Sequence, residues 1–224
     1  MSSPELSLVP MQDAPVAARC NEVFATGGAG WAGFVLAQMA SRQVGNGPIL
    51  WIQDRLSGRE TGQPCFLSLS RHALLLELSH PRDVLIAAEE ALTCADLGAV
   101  VAEVHGNPTA LDFTCSRRLA IRAEASGVTL WLIRHAAEAQ ASAMRDRWRV
   151  SPLPSAPHPD DIIAPGDPNW RVELFRSRDK RPGTWAVRHD RAADHLYFSA
   201  LVSDGALAEA EGAKRAAAHA RARG

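Results

Sequence analysis

The stretch with the most specific chemical pattern is Gly27-Gly28-Ala29-Gly30-Trp31-Ala32-Gly33-Phe34-Val35. It follows the short apolar run Val23-Phe24-Ala25 and precedes a helical pattern from about Trp31 to Val44, the place between strand and helix where a phosphate loop belongs. Gly28 and Gly33, with Gly30 between them, match the glycine spacing of G-x-x-x-x-G-K-[ST], but Phe34 and Val35 stand where that pattern has lysine and a hydroxyl residue. The lysine would neutralise the β- and γ-phosphates and the hydroxyl would hold magnesium. A phenyl ring and an isopropyl group do neither. Lys180 and Lys214 are the only lysines in the chain, so no neighbouring one can take over. Free backbone N–H groups at a helix start attract anions without any side chain, so weak phosphate or ATP binding stays open. The plainer alternative is a glycine turn that only lets strand meet helix closely. The loop is expected to be degenerate, with no catalytic residue, no bound cofactor and no metal.

Other chemistry-bearing residues are scattered. Glu103, on a short apolar strand, is the candidate Walker B-like carboxylate for magnesium; the alternative is an ordinary strand-end acid. His105 and His135 each follow a strand, at the edge of a parallel sheet where ligands collect, although lone histidines there are mostly structural. Arg117, Arg118 and Arg122 on one helix are candidates to meet DNA phosphates or an acidic partner; the alternative is a solvated face. Lys214, Arg215, Arg221 and Arg223 in the Ala-rich end suit weak, salt-sensitive DNA or partner contact. Trp148, inside Arg147-Trp148-Arg149, and Trp170 flank a Pro-rich stretch, either as a partner surface or as core packing.

The elements that position these residues follow from periodicity. Ile49-Leu50-Trp51-Ile52, Ala73 to Leu78, Ala99 to Val104 and Thr129 to Ile133 are short apolar strands. Between them lie a helix opened at Ser79-His80-Pro81 and carried to Gly98, with Val84, Leu85, Ala88 and Leu92 buried, and a helix from about Asp112 to Ser126 stopped by Gly127. Apolar strands alternating with helices imply a parallel sheet covered on both faces. After residue 150 the pattern changes. Residues 151–168 read as a Pro-rich connector, and Trp170 to Leu174, Thr184 to Arg188 and His195 to Leu201 alternate as half-buried antiparallel strands. The domain reading is a leader over 1–20, a core over 21–150, connector and antiparallel strands over 151–203, and an Ala/Arg-rich tail over 204–224.

The chain has 224 residues, a net charge of −1 and 46% hydrophobic residues, values of a globular protein with no general field for nucleic acid or membrane. Cys20, Cys65, Cys94 and Cys115 form no C-x-x-C pair, so neither zinc nor a disulfide framework is indicated; Cys94 and Cys115 read as buried thiols. No signal peptide and no membrane span is readable, and the expected location is the bacterial cytoplasm, beside the nucleoid.

Taken in order, several segments resemble the RecA core. Leu75-Leu76-Glu77-Leu78-Ser79-His80-Pro81 is similar to a strand ending that leads into a helix, Leu97-Gly98-Ala99-Val100-Val101 to the approach to the Walker B strand, and Ile52-Gln53-Asp54-Arg55 to the strand end carrying a catalytic glutamate, with Asp54 the nearest acid. The closer resemblance, over nearly the whole chain, is to the ImuA family of RecA-like accessory proteins, related to SulA. It rests on Asn21-Glu22-Val23-Phe24, the helix Asp112-Phe113-Thr114-Cys115-Ser116-Arg117-Arg118-Leu119-Ala120, Arg147 to Ser155, and Trp170 to Leu174. The resemblance implies a three-layer α/β, RecA-like, mostly parallel sheet with an antiparallel C-terminal extension. It also implies a non-catalytic accessory role in SOS-induced, error-prone translesion synthesis, with ImuB and an error-prone polymerase as partners, contact with RecA, weak DNA binding and homo-oligomerisation as further expectations, and no membrane. The alternatives are a SulA-like cell-division inhibitor and an atypical DNA-stimulated ATPase using Glu103 or Asp54.

Overall fold

The computed structural model describes residues 19–26, 31–41, 47–66, 72–155, 158, 160–161, 163–192 and 195–200. Gly28 and Gly30, the leader to residue 18 and the tail with Lys214, Arg215, Arg221 and Arg223 lie outside these residues.

Strands β1 (Cys20–Ala25), β2 (Ile49–Asp54), β3 (Ala73–Leu78), β4 (Ala99–His105), β5 (Thr129–His135), β6 (Asp146–Leu153), β7 (Asn169–Ser177), β8 (Gly183–Asp190) and β9 (His195–Ala200) form one sheet in the order β3-β2-β4-β5-β1-β6-β7-β8-β9. Neighbours from β3 to β6 pair parallel. From β6 to β9 they pair antiparallel, so the C-terminal strands continue the main sheet. This is the mostly parallel α/β architecture with an antiparallel extension that the sequence pattern implies.

Side chains alternate across the strands into two cores. On one face Val23, Trp51, Val101, Trp131, Ile133, Trp148, Trp170 and Val187 pack with Trp31, Phe34, Val35 and Met39 of helix α1 (Trp31–Ser41). On the other, Ile52, Val100, Ala102, Leu130 and Leu132 pack with helices α3 (Pro81–Ala91) and α4 (Phe113–Ser126). Asp112 caps α4 through a 2.6 Å bond from the Cys115 N–H, and Gly127 closes it in the left-handed region at φ 78°.

Three local readings are corrected. Helix α3 ends at Ala91, not Gly98: the Thr93 hydroxyl donates to the Glu90 carbonyl and the Gly98 N–H turns to the Pro48 carbonyl to begin β4. Cys94 is therefore exposed and not buried, while Cys115 is buried. Residues 151–153, read as connector, belong to β6. Pro152 is tolerated because β1 stops pairing at Val150, and beyond that point β7 is the only strand beside β6 among the described residues. A short helix, α2 (Arg55–Thr61), lies where the sequence reads only as polar and Gly-rich; Asp54 caps it.

The connection from β5 to β6 carries no helix. Residues 136–145 return as irregular chain beside α4, held where the Ala143 N–H donates to the Ser116 hydroxyl and where Met144 joins the α3/α4 core.

Candidate functional site

Helix α1 begins directly after the glycine segment, and its first turns point into the sheet. Phe34 and Val35, at the positions of the lysine and the hydroxyl residue, are both 0% exposed. The Phe34 ring lies 6.5 Å from that of Trp148 and 6.1 Å from that of Trp170. Gly33 sits inside the helix, where a Cβ would come within 3.0 Å of the Trp170 ring. Its small size thus serves close approach of helix and sheet.

Glu103 is fully buried on β4, facing the α1 side. Trp51 Nε1 donates to its Oε2 at 2.8 Å, Thr61 Oγ1 donates to Oε1 at 3.0 Å, and His135 Nε2 lies 2.7 Å from the same Oε1. Trp31 packs edge-on against His135 at 4.4 Å and tilts over Trp51 at 6.0 Å. The structure thus joins Glu103 and His135, two residues singled out separately in the sequence, with the first residue of α1 covering them. A magnesium site keeps open oxygen and water positions; here indole, hydroxyl and imidazole occupy both carboxylate oxygens. Asp54, the other candidate acid, receives the Ser57 N–H at 2.8 Å as a helix cap and the His105 N–H at 3.0 Å. Among the described residues, no three His, Cys, Asp or Glu side chains gather as a metal site.

A second buried ionic group lies on the opposite face of the sheet. Glu22 of β1 accepts from Arg134 Nη1 at 2.9 Å and from Arg147 Nε at 2.7 Å. Arg134 also donates to the Gly106 carbonyl and to Asn107 Oδ1. Burial pulls the Arg134 guanidinium below its ordinary pKa, against the pull of Glu22 in the other direction. Both arginines lie over the Phe24 ring, at 5.6 and 5.3 Å. Arg147 is thus a buried partner of Glu22, and Trp148 and Trp170, 1% and 3% exposed, are core residues and not a partner surface.

The candidate arginines of α4 divide. Arg118 and Arg122 hold Glu89 of α3 at 3.0 and 3.1 Å. Arg117 faces the other way, into a cleft of about 340 Å³ shared with Arg145, Arg176 and Arg178. The last three carry no motif, and only the tertiary fold brings them to Arg117.

The first strand of the sheet order, β3, has no strand partner on one edge among the described residues and exposes Leu74, Leu75 and Leu76. Leu56 of α2 and Ile86 of α3 are also exposed. No helix among the described residues is long and apolar enough to cross a membrane.

No family model matches the sequence. The chain is 35% identical to Protein ImuA from two strains of Caulobacter vibrioides, over 75% of its own length and 72% of theirs. The chain belongs to the ImuA family. In this ImuA family member, Phe34 and Val35 are core residues and both carboxylate oxygens of Glu103 are engaged by neighbouring side chains.

Proposed function

We propose that this ImuA-family chain works in damage-induced mutagenesis as a RecA-like accessory protein with no catalytic step, binding ImuB and through it an error-prone polymerase. Phe34 and Val35 carry this reading: buried completely, they fill the space where a triphosphate and its magnesium would need charge and open coordination. The bonds enclosing Glu103 support it further, because a general base or metal ligand needs a reachable oxygen.

An adaptor acts through its surface. The β3 edge, with no strand beside it among the described residues and three exposed leucines, suits addition of a partner's strand. Co-purification of the full chain with ImuB is expected, and Leu74→Lys is expected to weaken it. ATP turnover is expected to stay at background with or without single-stranded DNA and ImuB. Magnesium-dependent hydrolysis abolished by Glu103→Gln would overturn the reading in favour of an atypical ATPase. Capture of the tubulin-like division protein in place of ImuB would move it to a SulA-like inhibitor.

A further inference from the structure

The cleft beside α4 has an unusual electrostatic composition. Arg117 comes from the second turn of α4, Arg145 from the residue just before β6, Arg176 from the end of β7 and Arg178 from the residue just after it. Arg145 is neutralised by Glu124 on one side and Asp179 on the other. The guanidinium groups of Arg117, Arg176 and Arg178 make no hydrogen bond or ion pair among the described residues. All three are exposed. Three forks of N–H donors without a hydrogen-bonded partner among the described residues, with Glu124 acting on Arg178 only through its field, line one concavity, and such forks match the geometry of carboxylates and phosphates.

The surroundings decide between those anions. Phe113 and Ile121 each stand one helical turn from Arg117 on the same stripe of α4, 51% and 55% exposed. Met144 lines the cleft floor. An apolar–basic–apolar stripe matches a segment that carries both acids and apolar side chains. A polyphosphate strand would gain nothing from Ile121.

We propose that this cleft binds an acidic, amphipathic segment of a partner protein, with two or more Asp or Glu carboxylates on Arg117, Arg176 and Arg178 and apolar side chains against Phe113 and Ile121. The site lies on the face of the sheet opposite α1, so it is separate from the degenerate phosphate loop. It rests on the reading of the chain as an adaptor and adds the chemistry of one of its contacts.

The test is selection of a displayed library of random 12-residue peptides on the immobilised full-length protein, followed by anisotropy of the selected peptides. Enrichment of Asp and Glu interspersed with Leu, Ile or Phe is expected. The Arg117→Gln/Arg176→Gln variant should weaken binding of a selected peptide by about tenfold or more, since charge-assisted hydrogen bonds are lost. Its thermal midpoint should match the parent, because neither side chain is paired in the fold. Arg118→Gln/Arg122→Gln serves as control and should leave the peptide affinity unchanged. Selection without acidic enrichment, equal binding by the groove variant, or tighter binding of a labelled 20-nucleotide poly-dT strand that the groove variant loses would each overturn the proposal. Co-purification of the groove variant with ImuB reads the adaptor function separately. Retained ImuB with lost peptide binding upholds both; failure of the parent itself to bind ImuB would sink the adaptor reading alone.

Discussion

His135 Nε2 lies 2.7 Å from Glu103 Oε1 beneath the indole of Trp31, so the ends of β4 and β5 and the start of α1 are joined through one buried carboxylate. A sheet edge that elsewhere would open to a ligand is here closed by its own side chains. The consequences can be measured as stability, because the groups involved are bound to one another.

Glu103→Gln should destabilise the fold by about 2 kcal/mol, the cost of exchanging charge-assisted bonds for an amide whose NH2 faces other donors. Urea unfolding followed by tryptophan fluorescence reads this directly, since Trp51 is one of the donors. A midpoint equal to the parent's would show that the carboxylate is not held as described.

Phe34→Ala should cost roughly 3–5 kcal/mol as a core truncation, and Phe34→Lys should cost more, because the ammonium would enter the apolar layer between Trp148 and Trp170. Restoring the lysine together with Val35→Thr is expected to yield an unstable protein, with no gain in ATP binding by equilibrium dialysis.

Glu22→Ala leaves the Arg134 and Arg147 guanidinium groups buried without their carboxylate. Breaking a buried ion pair from one side costs about 3–5 kcal/mol. Removing Glu89 from its exposed contacts with Arg118 and Arg122 should cost under about 1 kcal/mol. The contrast between the two variants in denaturant midpoint checks the assignment of inner and outer ion pairs.

Burial pushes the Cys20 and Cys115 thiols above their ordinary pKa, whereas Cys65 and Cys94 are exposed. Because the folded pKa of the two buried thiols is raised, their thiolate fraction at pH 8 is lower in the folded than in the unfolded state. Iodoacetamide under native conditions should therefore modify Cys65 and Cys94 first, with Cys20 and Cys115 reacting only on unfolding; mass spectrometry of peptides gives the order. Equal rates at all four would contradict this placement.

Much of the scaffold was legible from residue patterns. The apolar runs at Ile49, Ala99 and Thr129 announce buried parallel strands because each face of such a strand is covered, whereas the equally apolar run at Ala73 forms a parallel strand whose leucines are exposed, and Asp112 and Gly127 mark the limits of α4 through capping chemistry that acts within a few residues. The absent lysine and hydroxyl at Phe34 and Val35 are likewise a local fact of side-chain chemistry. β6 was obscured because Pro152 reads as a breaker until its neighbours are known, and α2 because a seven-residue helix supported by one cap has little periodicity to show.

What the linear order of residues determined by itself is the alternation of strands and helices and the presence of Phe34 and Val35 where the phosphate-loop pattern has lysine and a hydroxyl residue, since both are read from neighbours along the chain. The tertiary structure alone decided that Glu103 is enclosed by Trp51, Thr61 and His135, that Arg147 serves Glu22 within the sheet, and that Arg117 meets Arg176 and Arg178 while Arg118 and Arg122 turn to Glu89. Charges pair through space, and arginines some sixty residues apart become one site only when the sheet order sets their strands beside the same helix.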